Sequence, residues 1–201
     1  MTKPIIAIDI DDVLADYADG FIQFTNEHWG TSLTIDDYDE HWANVWKVEH
    51  DEVVKRADKI HELRMIKGLL HKAEACDVLS RLSDRYQLII VTSRRIQNKE
   101  DTLEWLKLHY PMIMPQEVTF SGFYDTISDD SVHRTKGKIV SSLGAAFLID
   151  DQLKHCVSAT KHGVQSLLFG NYSWNRGEDL PDGVSRVGNW QEVEDFFNSY
   201  E

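Results

Sequence analysis

The chain has 201 residues, with 21 Lys and Arg against 34 Asp and Glu, giving a formal net charge of −13. That length fits one domain with room for a small insertion, and 42% apolar residues, six Trp among them, can fill a substantial core, which excludes disordered and collagen-like chains. So acidic a chain repels a phosphate backbone, so a nucleic-acid polymer is not an expected partner. No apolar run approaches the roughly 20 residues that span a bilayer, so no membrane partner is expected. The strand-like residues 4–8 follow Met1 too closely to leave room for a leader peptide. Cys76 and Cys156 form no CxxC pair, and a reducing, cytoplasmic compartment is expected.

Residues 5–10 form the first of five short apolar runs; the others are 88–92, 118–120, 145–149 and 164–169. Each is bounded by polar or turn residues, as buried parallel strands covered on both faces should be. A long aromatic and acidic stretch, residues 15–70, separates the first two. It has helical periods: Tyr17, Phe21 and Phe24, then Trp42 and Trp46, then Val53, Val54, Ala57, Ile60 and Leu63. A simple crossover needs only about a dozen residues. The excess reads as a helical insertion leaving the carboxyl end of the first strand, where open α/β sheets bind their ligands. Downstream, Ala75, Val78, Leu79 and Leu82 share a helical face, as do Trp190, Val193 and Phe197. Residues 102–108 and 138–143 read as helices, the second stopped by Gly144. Residues 170–187, rich in turn formers, read as a long surface loop. Strand–helix alternation of this kind predicts an α/β fold with an open, mostly parallel sheet. Residues 1–14 and 71–201 would form the main domain and 15–70 the insertion.

Four polar signals stand at or near strand ends. Asp9 and Asp11 alternate with Ile10, so an extended chain points both carboxylates the same way, where they repel unless a proton or cation intervenes. Thr92 and Ser93 offer hydroxyls suited to phosphoryl oxygens. Lys136 precedes a helix start, an end the macrodipole disfavours for a cation. Asp150-Asp151 follows a buried run, as a hard-cation site would. Taken singly, each is equally explained by helix capping or solvent exposure. Asp36, Asp37 and Asp39 read as a loop and capping cluster, and the nine histidines form no HExxH or HxH pattern.

In this order, the four signals resemble the haloacid dehalogenase superfamily of phosphohydrolases. Asp9-x-Asp11-x-Val13 matches its first motif, Thr92 the second, Lys136 the third (Lys138 if the register lies two residues on), and Asp150-Asp151 the fourth. Residues 9–30 and 88–95 are most similar to the 5′(3′)-deoxyribonucleotidase branch, although Arg94 stands where that branch has Pro. The resemblance implies a Rossmann-like sheet with a small helical cap after the first strand. It also implies hydrolysis of a phosphate monoester through an aspartyl-phosphate, with a (deoxy)ribonucleoside monophosphate as substrate. Asp9 would be the nucleophile and Asp11 the general acid and base. Mg2+ would be held by Asp9, the main-chain carbonyl of Asp11, and Asp150 or Asp151. Thr92, Ser93 and Lys136 would bind the phosphate. Charge counting agrees, because without a cation so many carboxylates would repel a phosphate dianion. In the cap, Tyr17, Trp42 and Trp46 could stack on a base, although aromatics at helical spacing equally suit packing. Arg94 and Arg95 could touch substrate or sit at an exposed helix start, and at least one is expected to be exposed. A phosphatase for sugar or other small phosphates is the alternative function. A receiver-like signalling module would need a buried strand with a phosphoacceptor within residues 50–69, which read as helical. A homodimer is left open.

Overall fold

The computed structural model describes residues 2–126, 133–177 and 179–200, so Glu178 of the expected loop over 170–187 lies outside the described residues. Among them run six parallel strands: β1 Ile5–Ile8, β2 Gln87–Thr92, β3 Val118–Phe120, β4 Ala145–Asp150, β5 Gln165–Phe169 and β6 Val184–Val187. Their spatial order is β3-β2-β1-β4-β5-β6. The chain begins in the middle of the sheet and winds outward in both directions, which places the switch point at the carboxyl ends of β1 and β4. β1 lies between β2 and β4, with Ile8 opposite both Ile90 and Ile149. The Asp9 N–H continues this ladder to the Ile149 carbonyl at 2.9 Å.

Among the described residues, eight α-helices accompany the strands: α1 Tyr17–Trp29, α2 Trp42–Trp46, α3 His50–Glu62, α4 Ala73–Leu82, α5 Lys99–His109, α6 Gly137–Ser142, α7 Leu153–Thr160 and α8 Trp190–Ser199. Because strand side chains alternate, the apolar runs supply two cores. Ile6, Ile8, Leu88, Ile90, Phe147 and Ile149 meet α4, α5 and α8 on one face. Ala7, Ile89, Val91 and Leu148 meet Val140 of α6 and Ala159 of α7 on the other. The α6–α7 approach depends on Gly137, where a Cβ would lie 2.4 Å from the Ser158 carbonyl oxygen. This contact seats Lys136, the residue that caps α6.

Residues 170–187 do not form a loop throughout, since they end in β6, paired in parallel with β5 from Ser166↔Val184 to Phe169↔Val187. Between β1 and β2 lie α1–α4 and short 3-10 turns rather than a strand, so the receiver-like arrangement is excluded there. Both chain passages into this segment are tied down. The Asp16 N–H donates to the Leu70 carbonyl at 3.0 Å, Lys72 N–H to Leu14 at 2.8 Å, and Lys72 Nζ pairs with Asp16 at 2.5 Å. Among the described residues, no helix is long and apolar enough to cross a membrane.

Candidate active site

The turn after β1 is held by its backbone. Val13, Leu14 and Ala15 all direct their N–H groups at the Ile10 carbonyl, and Asp12 takes a left-handed conformation, φ 58°. Asp tolerates that region better than most residues do. Three aromatic donors fix the next carbonyls: Tyr172 Oη to Asp12 at 2.7 Å, Trp190 Nε1 to Val13 at 2.9 Å and Tyr110 Oη to Leu14 at 2.9 Å. Asp12 turns its carboxylate away from the strand end, accepting the Ala18 N–H at 3.0 Å in the first turn of α1. Asp9 and Asp11 stay at the sheet edge, the first buried and the second half-buried.

Asp9, Asp150 and Asp151 bring carboxylate oxygens within 4.8 Å of one another, all three side chains being buried. Lys136, fully buried, sits between two of them at 2.8 Å from Asp9 Oδ1 and 2.8 Å from Asp150 Oδ2. The contact with Asp9 is an ion pair, and Asp9 Oδ1 is buried without a hydrogen-bond partner. These carboxylates hold a lysine at the unfavourable helix end, whereas Lys138, two residues on, is exposed. Burial pushes the Asp9 carboxyl up to about 7 even against the pull of Lys136, and burial pushes Asp12 up to about 8. Asp150 and Asp151 are raised for the same reason, in Asp151 with the neighbouring carboxylates adding to the effect. Burial alone would lower the Lys136 ammonium, but Asp150 and Asp9 outweigh it and raise it. One lysine among so many raised carboxyls leaves negative charge uncompensated, and that donor set of hard oxygens fits a divalent cation.

The two late aspartates are not equivalent. Asp150 uses both oxygens, Oδ2 toward Lys136 and Oδ1 accepting the Gln152 N–H at 2.9 Å. Asp151 uses Oδ2, accepting from Trp174 Nε1 at 2.7 Å and Gln152 Nε2 at 3.0 Å, and it lines the adjoining cavity together with Asp9 and Asp11.

That cavity, about 360 Å³, opens from the strand ends toward α1–α3. Ser93 lines it, and its hydroxyl is buried without a hydrogen-bond partner. Such an orphaned group is costly unless something polar occupies the space beside it. Thr92 is fully buried behind it, its Oγ1 accepting the Arg94 N–H at 3.2 Å. Tyr17 and Trp42 form part of the cavity wall. Trp46 does not: it packs on Phe21, Trp29 and Trp42 with ring centroids 5.1–5.5 Å apart across the cluster and donates Nε1 to Thr25 at 3.3 Å. The expected exposure of Arg94 or Arg95 is also overturned. Arg94 is buried against Asp11, and Arg95, its side chain 15% exposed, pairs with Asp58 of α3 at 3.1 Å. Asp37 closes a capping box with Thr34, accepting its N–H, whereas Asp39 accepts the His41 N–H in the turn before α2 without capping that helix.

Several lining residues carried no signal in the sequence. Glu40 accepts from Tyr124 Oη and pairs with Lys154, joining the α1–α3 segment to the loop after β3 and to α7. Tyr38 packs on Trp174, centroids 5.0 Å apart, and His155 is buried at the cavity edge, where burial drives its imidazole well below its ordinary range. Of these, only Tyr124 was within reach of inference, since β3 ends at the same sheet edge.

A doubly wound parallel sheet with a buried carboxylate–lysine cluster at its switch point defines a haloacid dehalogenase-type phosphohydrolase. Solved structures share the fold: a haloacid dehalogenase-like hydrolase of Streptococcus pneumoniae has a TM-score of 0.68 at 18% identity, over 97% of this chain and 98% of that one. A structure described as a HAD-hydrolase of Bacillus subtilis bound to magnesium has a TM-score of 0.63 at 14% identity, over 98% and 100%. Within that class, residues 3–199 match the profile of the family described as "5' nucleotidase, deoxy (Pyrimidine), cytosolic type C protein", and the chain belongs to that family. A Staphylococcus epidermidis protein named "Putative 5'(3')-deoxyribonucleotidase" is 26% identical over 203 residues, 100% of this chain and 99% of its own. A Staphylococcus aureus protein of the same name is 24% identical over 98% of this chain and 97% of its own. The chain is therefore an enzyme of the phosphatase and nucleotidase type.

Proposed function

We propose that the enzyme hydrolyses a nucleoside monophosphate through an aspartyl-phosphate on Asp9, with Mg2+ as its metal. The observation that carries this reading is the convergence of Asp9, Asp150, Asp151 and Lys136 beneath a cavity lined by the unpartnered Ser93 hydroxyl. Asp9 and Asp151, together with the Asp11 carbonyl, would hold the metal, and Asp150 would act by keeping Lys136 in place. When bound, the metal supplies positive charge that lets a phosphate dianion approach the carboxylates. Lys136 and the Ser93 hydroxyl would hold the phosphoryl oxygens, with Thr92 behind them.

An Asp9 carboxylate oxygen attacks phosphorus, the bond to the leaving oxygen breaks, and Asp11 gives that oxygen a proton. Water then attacks the phosphorus, yielding its proton to Asp11, and the phosphorus bond to Asp9 breaks to restore the carboxylate. The segment 15–70 acts as the cap in this reading, excluding water and meeting the leaving group through Tyr17 and Trp42. The cavity volume suits a mononucleotide-sized ligand.

The test is magnesium-dependent phosphate release from 5′- and 3′-nucleoside monophosphates beside a set of sugar phosphates. Turnover of nucleotides, lost by at least 10⁴-fold in Asp9→Asn, is the expected result. Activity confined to sugar phosphates would replace the nucleotidase reading with the alternative, and an active Asp9→Asn enzyme would remove the covalent route.

A further inference from the structure

We propose that Arg94 is a positioning residue for Asp11, holding the carboxyl of the general acid and base in the orientation from which its proton reaches the leaving oxygen. The inference rests on the reaction proposed above. Arg94 Nε lies 3.0 Å from Asp11 Oδ1 and 3.2 Å from Oδ2, and Nη2 lies 2.6 Å from Oδ1. The arginine side chain is 2% exposed and the aspartate 25%. The guanidinium is itself anchored: Nη1 donates to Thr102 Oγ1 at 3.3 Å, and the group lies 5.7 Å from the Trp105 ring centroid, both on α5. Its main chain is fixed at the end of β2 by the hydrogen bond to Thr92.

Two observations give this contact a purpose beyond stability. A buried guanidinium needs a counter-ion, and Arg94 faces the carboxylate that Asp11 becomes once it has given up its proton. A planar fork also fixes a carboxylate's rotation, which a lysine's point charge does not. Oδ1 takes the two shorter contacts and Oδ2 the longer one, so the fork fixes the rotation of the Asp11 carboxyl. In the first step the Asp9–phosphorus bond forms, the phosphorus–leaving oxygen bond breaks, and the electron pair on that oxygen takes the proton from the Asp11 carboxyl. Asp11 is then a carboxylate facing Arg94. Misplacing a proton donor by about 1 Å can cost roughly 10²-fold in rate.

The leaving group makes this testable. A nucleoside alkoxide must be protonated as it departs, whereas p-nitrophenolate departs without a proton. Single-turnover release of the leaving group isolates the first step, measured at saturating magnesium for the best nucleoside monophosphate and for p-nitrophenyl phosphate. Arg94→Met should lower the nucleotide rate about 100-fold, and the aryl ester rate by at least tenfold less, with KM within threefold. In an Asp11→Asn background the same change should add almost nothing. Equal losses on both esters with a raised KM would make Arg94 a phosphate ligand. Equal losses with and without Asp11, or no loss at all, would also overturn the proposal. If Arg94→Met does not fold, Arg94→Lys decides, because it keeps the charge, loses the fork and should show the same split between esters. A wild-type enzyme active on neither ester ends the parent reaction and this proposal together, whereas an active wild type without the split ends only this one.

Discussion

The floor and the roof of the cavity are built on opposite principles. The floor consists of β-strand ends and the start of α6, and its charged groups are sealed: Lys136 and Asp150 have no exposed side-chain surface. The roof, residues 15–70, shares the buried core beneath it through Phe21, Val53, Ile60 and Ile66, and at its rim it also meets the rest of the molecule through partly exposed pairs. These include Arg95 with Asp58, Lys67 with Glu104 at 2.6 Å, His61 with Asn98 at 2.8 Å, and Glu40 with Lys154. Exposed pairs contribute about 0–1 kcal/mol each, whereas removing one member of a buried pair costs roughly 3–5 kcal/mol. The charges that would do the chemistry are thus in the part hardest to move. The rim pairs over the leaving group are of the weaker kind and can part and re-form while the shared core holds, as admission of a substrate to a covered cavity requires.

Lys136→Met should separate the two regions most strongly. It leaves Asp9 and Asp150 facing each other without their shared cation, so the fold should lose about 3–5 kcal/mol in metal-free buffer and kcat should fall by roughly 10³-fold. Calorimetry and steady-state kinetics check both. An active, equally stable variant would mean that the floor is not organised around this charge. The metal should act next. Asp9, near 7, and Asp12, near 8, hold protons in the metal-free fold that the unfolded chain, near 3.8, does not. Their contribution to stability is therefore complete below about pH 4 and is lost as pH rises through about 7 to 8. Magnesium held by Asp9 and Asp151 would compete with the proton on Asp9 but not with that on Asp12, so its stabilising effect should be larger at pH 8 than at pH 5.5. At a hundredfold excess over Kd the gain is about 2.7 kcal/mol, or roughly 5–10 °C in Tm for a chain of this size. A magnesium increment that shrinks between pH 5.5 and pH 8 would contradict the carboxylate account.

The same contrast explains what could be read from the sequence. Five strands were legible because both-face burial writes itself as an apolar run, and the site's acids and hydroxyls could be singled out because they stand at the ends of such runs, whereas Lys136 was singled out by its place at a helix start. β6 was not legible: Val184-Ser185-Arg186-Val187 is a sheet edge whose middle residues are only half-buried, and its signature is its pairing with β5. Arg94 and Arg95 looked like solvent-facing charges because their counter-ions, Asp11 and Asp58, are remote in the chain. Glu40 and Tyr124 meet across 84 positions, and no local pattern announces such a contact. Residues that act through their own strand were legible, and those that act through a partner were not.

The smallest expected effect tests the roof most sharply, because α2 carries two tryptophans with different surroundings. Trp42 and Trp46 are four apart and touch, centroids 5.4 Å apart, yet only Trp42 reaches the cavity. Stacking on a base is worth about 1–3 kcal/mol, so Trp42→Ala should raise KM for a nucleotide about tenfold. It should change KM for p-nitrophenyl phosphate less, and kcat by under threefold. Trp46→Ala should instead lower Tm by several degrees, because it opens a cavity among Phe21, Trp29 and Trp42, while KM stays within threefold. If Trp46→Ala raises KM as much as Trp42→Ala does, the aromatic cluster acts as one unit and recognition is not confined to the side chain that faces the substrate. If neither moves KM, the leaving group is read elsewhere on the wall, with Tyr17 and Tyr38 the next aromatics in line.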